Sequence, residues 1–193
     1  MHSPYSSFPI PGPRHIRLLQ VFADKNGSSR IHCRFSVVDL DDLPFPFRAI
    51  SYVWGGSTIK DEAWFDDETH LDITASAGAI LRSIIKSATD RYFWIDALCI
   101  NQQDDDEKSL QVQLMYDIYS SAEKTIAWTG ETSEDSEAAL DFVIVLFKVI
   151  QELFHRKVPI TANSLTGMEG CGWPSSNWTA LRHFLERPCF QRV

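Results

Sequence analysis

The spacing of apolar residues near the start of the chain predicts a pair of strands. From Ile31 to Val38, apolar side chains alternate with more polar ones, and this period of two is typical of a strand with one apolar face. A similar run covers residues 14–22, and the dipeptide Asn26-Gly27 between the two runs is a strong turn signal. We therefore predict an antiparallel β-hairpin from strands over residues 14–22 and 30–40.

The middle of the chain alternates between two hydrophobic patterns. The runs AISYVW, YFWIDALCI and TIAWT are nearly all apolar, as expected for strands covered on both faces, and they predict strands over residues 47–54, 92–100 and 125–129. Apolar residues at helical spacing predict helices that begin at Thr74, Glu107 and Ser133. Because a helix lies in each connection between these strands, the strands should be parallel.

Shorter patterns complete the predicted elements. A lead-in over residues 1–13 carries four prolines and predicts no regular structure. Residues 63–73 predict a small hairpin that turns at Asp66, Asp67 and Glu68, the segment 155–174 predicts a loop, and Asn177 is expected to cap a last helix that ends before Pro188. The predicted fold is a single α/β domain over residues 14–193, with a parallel sheet flanked by helices and an antiparallel β-hairpin appendage at the N-terminus.

Charge and cysteine usage narrow the class of protein. The net charge of −8, from 18 basic and 26 acidic residues, argues against a nucleic-acid partner, since phosphate binding requires a basic face. The longest apolar stretch, residues 138–150, contains Asp141 and Lys148 and is too short to span a membrane. No C-x-x-C pair occurs, and a zinc site from Cys171, His183 and Cys189 fits no established zinc spacing. We expect a soluble, cytoplasmic protein that requires no cofactor or metal.

Polar and aromatic residues collect where the three apolar strands end. In open parallel sheets, ligands bind beyond the carboxyl ends of the strands. The simpler interpretations stay open: Gly56 as a turn, Asp96 as an acceptor for loop N–H groups, Cys99 as a packed thiol and the tryptophans as core. The candidate ligand-binding residues at these ends are Ser51, Tyr52, Trp54, Gly55, Asp96, Cys99, Asn101, Gln102, Trp128 and Gly130.

The helix after Asn101 adds two further candidates. At 100° per residue, Leu110, Leu114 and Ile118 define a buried stripe, and Glu107 and Gln111 fall inside it. A buried carboxylate needs a partner or a wet cleft. Glu107 is therefore either a cleft residue or the third residue of a capping box that starts at Asp104, and Gln111 is either a ligand contact or a buried amide. The successive Asp104, Asp105 and Asp106 fit a helix dipole better than a metal site.

The segments FRAISYVWGG and YFWIDALCINQQDDDEKSLQVQLMYDIYSSAEKTIAWTG resemble the fungal heterokaryon incompatibility (HET) domain. That family has a strand ending S-Y-x-W-G, then W-I-D-A-x-C-I-N-Q, then D-x-x-E-x-x-x-Q-V-x-x-M-x-x-I-Y-x-x-A, then a strand ending W-x-G. Thr129 stands where the family usually has Leu. The resemblance extends from Phe47 to Val193. Because a later family strand with a Gln-Glu pair would follow, we expect either a truncated chain or a short natural form.

The resemblance implies a role in fungal non-self recognition and programmed cell death. The HET domain also resembles TIR domains distantly, which implies a TIR-like, flavodoxin-like sheet. Some TIR domains use a glutamate to cleave NAD, so NAD or a related nucleotide is a possible substrate, with Glu107, Glu137 or Glu134 as the catalytic carboxylate. The alternative is a non-catalytic, TIR-like module. In either case the resemblance implies self-association and an upstream sensor protein or domain.

Overall fold

The computed structural model describes residues 3–24, 29–55, 59–66, 68–87, 91–161 and 174–190. The chain divides into two compact units, Met1–Trp128 and Thr129–Val193. Four predicted features lie outside the described residues: the Asn26-Gly27 turn, Gly56, Asp67 and Cys171, together with residues 162–173 of the predicted loop.

The first unit is built on one mixed sheet of seven strands. Their order across the sheet is β5-β4-β2-β1-β6-β3-β7. The strands are β1 (His15–Ala23), β2 (Ile31–Asp39), β3 (Phe47–Tyr52), β4 (Ile59–Phe65), β5 (His70–Thr74), β6 (Tyr92–Ile95) and β7 (Lys124–Trp128). The helices of this unit are α1 (Pro4–Ser7), α2 (Ala75–Ser87), α3 (Asp96–Cys99) and α4 (Asp105–Ser121).

The predicted N-terminal hairpin forms, but it is not an appendage. Strands β1 and β2 pair antiparallel from His15↔Asp39 to Ala23↔Ile31. The other edge of β1 pairs antiparallel with β6 at Leu19↔Phe93, so β1 lies in the middle of the sheet. The prediction of an appendage was wrong because the local pattern of HIRLLQVF indicates the hairpin with β2 but not the second pairing, with β6, which is distant in sequence. Its residues 16–19 are all buried, as a central strand requires.

The predicted parallel strands are confirmed. Strand β3 pairs in parallel with β6 on one side and with β7 on the other. Helix α2 begins where predicted, with the Thr74 hydroxyl accepting a hydrogen bond from the Ala77 N–H. Trp94 of β6 contacts Tyr119 of α4, whereas Phe93 lines a cavity with Ile80 of α2. Because neighbouring residues of a strand point to opposite faces, helices cover both faces of β6.

The apolar run YFWIDALCI is half strand and half helix. The prediction of one strand over residues 92–100 was wrong, since β6 ends at Ile95 and the next four residues form α3. The Asp96 carboxylate accepts the Ala97 N–H, and the Ile100 N–H donates to the Asp96 carbonyl. A short apolar run does not by itself distinguish strand from helix, and here the polar side chain of Asp96 marks the change.

The N-terminal segment contains a turn of helix that its prolines did not predict. Helix α1 starts with Pro4 at its first position, and the Ser3 hydroxyl accepts the Tyr5 N–H. Tyr5 is buried and stacks on Phe35 of β2, with ring centroids 5.8 Å apart. Part of the predicted irregular lead-in therefore belongs to the core of the first unit.

Helix α4 directs two polar side chains toward the sheet. Its buried residues are Gln111, Leu114 and Ile118, and Glu107 is nearly buried, which confirms the inward phase predicted for the two polar residues. Leu110 was predicted to be buried but is 48% exposed, so that prediction was wrong. The buried stripe is centred on Glu107 and Gln111, which moves Leu110 to its margin.

The described part of the second unit, residues 129–161 and 174–190, contains helices α5 (Ser136–His155) and α6 (Ser175–Leu185) and a 3-10 turn at Pro188–Phe190. Ala139 of α5 packs with Ala180 and Phe184 of α6. The predicted cap at Asn177 was wrong, because α6 begins at Ser175 and residue Pro174 occupies the cap position. Among the described helices of the whole chain, none has the length and hydropathy to cross a membrane.

We predict that two leucines one turn apart on α4 differ sharply in their effect on stability. Leu114→Ala should lower the free energy of unfolding by about 3 kcal/mol, since it leaves a cavity in the core. Leu110→Ala should change it by about 0.5 kcal/mol, because that side chain is largely solvated. Urea denaturation followed by circular dichroism measures both, and equal losses would contradict the described orientation of α4.

Candidate functional site

A fully buried arginine lies at the centre of the first unit. Arg17 of β1 is 1% exposed, and its guanidinium carbon lies 4.8 Å from the centroid of the Tyr5 ring. Its Nε donates to the Phe8 carbonyl at 2.7 Å, and its Nη1 donates to the Cys99 carbonyl at 3.3 Å. One side chain thus joins the N-terminal segment, the central strand and the end of α3.

Glu107 neutralises this arginine. Its two carboxylate oxygens accept from Nη1 and Nη2 of Arg17 at 2.5 and 2.9 Å, a bidentate geometry. Oxygen Oε1 also accepts the Asn101 N–H at 2.7 Å. A buried charge is tolerated when it is paired and its remaining hydrogen-bonding capacity is satisfied, and both conditions hold here.

The capping-box alternative for Glu107 is half confirmed. The Asp104 carboxylate caps α4 by accepting the Glu107 N–H at 3.0 Å. The Glu107 side chain, however, accepts from the Asn101 N–H and not from the cap residue's own N–H, because the Asp104 N–H donates to the Asn101 carbonyl. Glu107 therefore closes the loop before the helix and not the cap itself.

Hydrogen bonds within the protein hold the loop between α3 and α4 and the residues next to it. Asp96 accepts the Trp54 Nε1–H at 3.1 Å, which links the ends of β3 and β6. Gln102 Nε2 donates to the Asp96 carbonyl at 3.0 Å, and the Asn101 side-chain oxygen accepts the Gln103 N–H at 3.2 Å. Asp96, Trp54, Gln102 and Asn101 are thus brought together as predicted, and each makes bonds within the protein.

Tyr5 ties the N-terminal segment to the same loop. Its hydroxyl donates toward the carbonyls of Leu98 and Ile100, at 2.9 and 3.2 Å. Burial raises the pKa of the Tyr5 hydroxyl above its usual value, so the group remains a donor at neutral pH. Sequence reasoning missed both Tyr5 and Arg17. A charged residue inside the apolar run HIRLLQVF was a usable signal for Arg17, whereas Tyr5 lies among prolines and offered none.

Cys99 is a packed thiol in this structure. Its side chain is fully buried, and its sulfur lies 3.4 Å from the Ile95 nitrogen, as an acceptor of that N–H. Burial raises the pKa of the Cys99 thiol to about 12, which leaves it protonated at neutral pH. The environment therefore favours a structural role over a nucleophilic one.

Gln111 has one unused hydrogen-bonding atom. Its Nε2 donates to the His15 carbonyl at 2.9 Å, which anchors α4 to β1. Its Oε1 is buried and has no hydrogen-bond partner among the residues that the structure describes. Gln111 therefore serves as the predicted buried amide, and it also lines a cavity.

Two cavities adjoin the α3–α4 loop, and they share Ser3, Tyr5 and Asn101 as lining residues. The first, of about 590 Å3, lies between the N-terminal segment and α4 and is also lined by Arg17, Glu107 and Gln111. The second, of about 700 Å3, lies between the β4–β5 hairpin and the loop. Both volumes are in the range of small-molecule sites. We call the second the hairpin cavity; its further lining residues include Trp64, His70, Asp72 and Gln102.

The end of β3 contributes residues of different character. Ser51 is exposed, Tyr52 is buried and paired in register with Trp128 of β7, and Trp54 is 37% exposed. Trp128 lines a separate small cavity of about 170 Å3 with residues of α2, β3 and β6. Gly55 has φ +76°, and a side chain there would also crowd the Ser76 hydroxyl, so glycine is required.

Two predicted site residues belong to the second unit. Gly130 has φ +107°, in the left-handed region that favours glycine. Glu137 is exposed in the first turn of α5, where its charge complements the helix dipole. In the same unit, His183 Nδ1 lies 2.9 Å from an Asp135 carboxylate oxygen, and the Cys189 thiol donates to the Thr129 carbonyl at 3.8 Å.

We predict that the Arg17–Glu107 pair dominates the stability of the first unit. Glu107→Gln leaves the buried guanidinium without its counter-charge and should lower the free energy of unfolding by about 3 kcal/mol, measured by urea denaturation. The double variant Arg17→Met/Glu107→Gln removes both charges, and its amide still accepts the Asn101 N–H, so it should recover part of the loss. Asp105→Asn, at an exposed pair with Lys108, is the control and should leave the stability nearly unchanged.

The sequence itself matches one known family. The model of the family described as heterokaryon incompatibility protein (HET) matches residues 47–193. Heterokaryon incompatibility protein 6, OR allele, of Neurospora crassa is 35% identical over 150 residues, and the match covers 71% of this chain but only 22% of that protein. No solved structure matches the chain. The chain belongs to the heterokaryon incompatibility (HET) family.

Proposed function

We propose that this chain is a cytoplasmic cell-death effector domain of fungal heterokaryon incompatibility. The family match over residues 47–193 and the name of the Neurospora relative support this role. The chain spans 22% of that relative's length, so the remaining segments of such a protein would supply the upstream sensor. The domain would act on its partners, including other copies of itself, once the sensor responds.

The state of Glu107 supports a signalling module in preference to an enzyme. A catalytic carboxylate must reach the reacting atoms of a substrate. Both oxygens of Glu107 are bound to Arg17, and one of them also accepts the Asn101 N–H. The polar residues of the family's sequence motif then fix the conformation of the α3–α4 loop. The protein surface around this loop contacts the partner.

The strand order supports a TIR-like element within this proposal. Taken in chain order as strands one, two and three, β3, β6 and β7 lie in the order 2-1-3 across the sheet. That is the order in which flavodoxin-like sheets begin. Strands β1, β2, β4 and β5 extend the sheet on the side of β6; β1 pairs antiparallel with β6 and with β2, β2 pairs in parallel with β4, and β4 pairs antiparallel with β5.

A cell-death assay distinguishes a framing role of Glu107, in which it fixes the conformation of the α3–α4 loop, from a catalytic role. We expect Glu107→Gln to lose killing activity in a fungal host in proportion to its loss of folded protein. The double variant Arg17→Met/Glu107→Gln should recover killing to the extent that it recovers the melting temperature. A double variant with the stability and abundance of the original chain but without killing activity would contradict the framing role.

Cleavage of NAD or a related nucleotide is a second candidate function. The hairpin cavity favours it, because its volume of about 700 Å3 suits a small molecule and because aromatic and amide side chains (Trp64, Asn101 and Gln102) line it. The hairpin cavity lies within the first unit, whereas Glu137 is an exposed residue of the second unit and is not among the residues that line this cavity. Because Glu107 is bound to Arg17, Glu137 is the predicted carboxylate that we test by substitution.

Incubation of the purified chain with NAD distinguishes the two functions. The signalling module predicts no nicotinamide release above that of buffer, measured by liquid chromatography over a range of protein concentrations. Release that is abolished by Glu137→Gln at unchanged melting temperature would instead establish the nucleosidase. Glu152→Gln is the matched control, since it removes an exposed glutamate from the same helix that is not a candidate for catalysis.

A further inference from the structure

The β4–β5 hairpin brings three metal-ligating side chains to one face of the sheet edge. Its antiparallel register places Glu62 opposite Asp72 and Trp64 opposite His70. Residues two apart in a strand share a face, and paired residues of antiparallel strands lie side by side on it. All four side chains therefore project from the same side of the hairpin.

The three ligand atoms already converge. One carboxylate oxygen from Glu62, one from Asp72 and one imidazole nitrogen of His70 all lie within 4.8 Å of one another. In a tetrahedral zinc site with ligands about 2.1 Å from the metal, neighbouring ligand atoms are about 3.4 Å apart. Small side-chain rotations are therefore sufficient to close the three atoms around a cation.

Trp64 holds two of these ligands in place. Its Nε1–H donates to a Glu62 carboxylate oxygen at 3.1 Å, and its ring packs on the His70 imidazole with centroids 4.9 Å apart. Hydrogen bonds and packing from neighbouring side chains are the usual means by which proteins orient metal ligands.

Electrostatics at this face also favours a cation. Glu62 and Asp72 face each other directly across the ladder, and like charges at such positions repel. The His70 Nε2 lies 3.9 Å from the Asp72 carboxylate, too far for a hydrogen bond between them. Of the nearby arginines, Arg82 pairs with Asp61, and the Arg30 guanidinium carbon lies 4.3 Å from the centroid of the Trp64 ring.

We propose that Glu62, His70 and Asp72 bind a divalent transition-metal ion of the Zn2+ type. One imidazole and two carboxylates form a mixed nitrogen and oxygen set that suits Zn2+ better than Mg2+ or Ca2+, which prefer oxygen alone. Three protein ligands leave a fourth position for water or a ligand oxygen. Because His70 and Asp72 also line the hairpin cavity, that position would adjoin it. The site does not depend on the proposed function.

Calorimetric titration of the untagged, chelator-treated chain with Zn2+ tests the site. We expect saturable binding that His70→Ala and Asp72→Asn each weaken by at least about tenfold. As a positioning residue, Trp64 should matter less: Trp64→Phe keeps the ring, loses the N–H and should weaken binding by up to about tenfold. Zn2+ should raise the melting temperature of the original chain but not that of Asp72→Asn.

His183→Ala is the matched control, because His183 and Asp135 also form an exposed imidazole–carboxylate pair on the surface of the chain. It should bind Zn2+ as the original chain does. Melting temperatures in chelator establish that each variant is folded. Absence of saturable binding, equal affinity in the original chain and in a folded His70→Ala variant, or preference for Mg2+ over Zn2+ would each overturn the proposal.

Discussion

The buried ion pair between Arg17 and Glu107 is the constraint on which the first unit depends. A guanidinium in the middle of a central strand is costly unless its charge and its donors are matched. Glu107 supplies the charge, and the carbonyls of Phe8 and Cys99 take further N–H groups. The need to satisfy the charge and the N–H donors of Arg17 thus fixes where the N-terminal segment, α3 and α4 lie around β1.

The polar residues of the family's sequence motif have a structural role in this protein. Asp96, Gln111 and Glu107 are the residues that a sequence comparison would propose as a site, yet each is bonded to another part of the protein. They determine the shape of the α3–α4 loop. The groups left to contact a ligand or partner are on the loop's surface and in the two cavities that share Tyr5 and Asn101.

Local sequence patterns predicted the structure correctly where the outcome depended on the composition or the periodicity of a single strand or helix. The parallel pairing of β3 with its neighbours follows from all-apolar strands joined through helices, and the inward phase of Glu107 follows from helical geometry alone. They failed where the partner was distant in sequence. Leu110 was predicted to be buried because it is apolar and lies at helical spacing from Leu114 and Ile118. The ion pair instead occupies the centre of the buried α4 face and leaves Leu110 48% exposed.

The sequence by itself determined the family, the parallel part of the sheet and the inward position of Glu107, because motifs, strand composition and helical period are properties of contiguous residues. Only the tertiary structure decided that β1 is central, that Tyr5 closes over the loop and that Arg17 is the partner of Glu107, 90 residues away. Which buried charge meets which counter-charge depends on long-range packing, and no local pattern encodes it. The same reason explains the Glu62, His70 and Asp72 cluster, which exists only because the hairpin register aligns the three side chains.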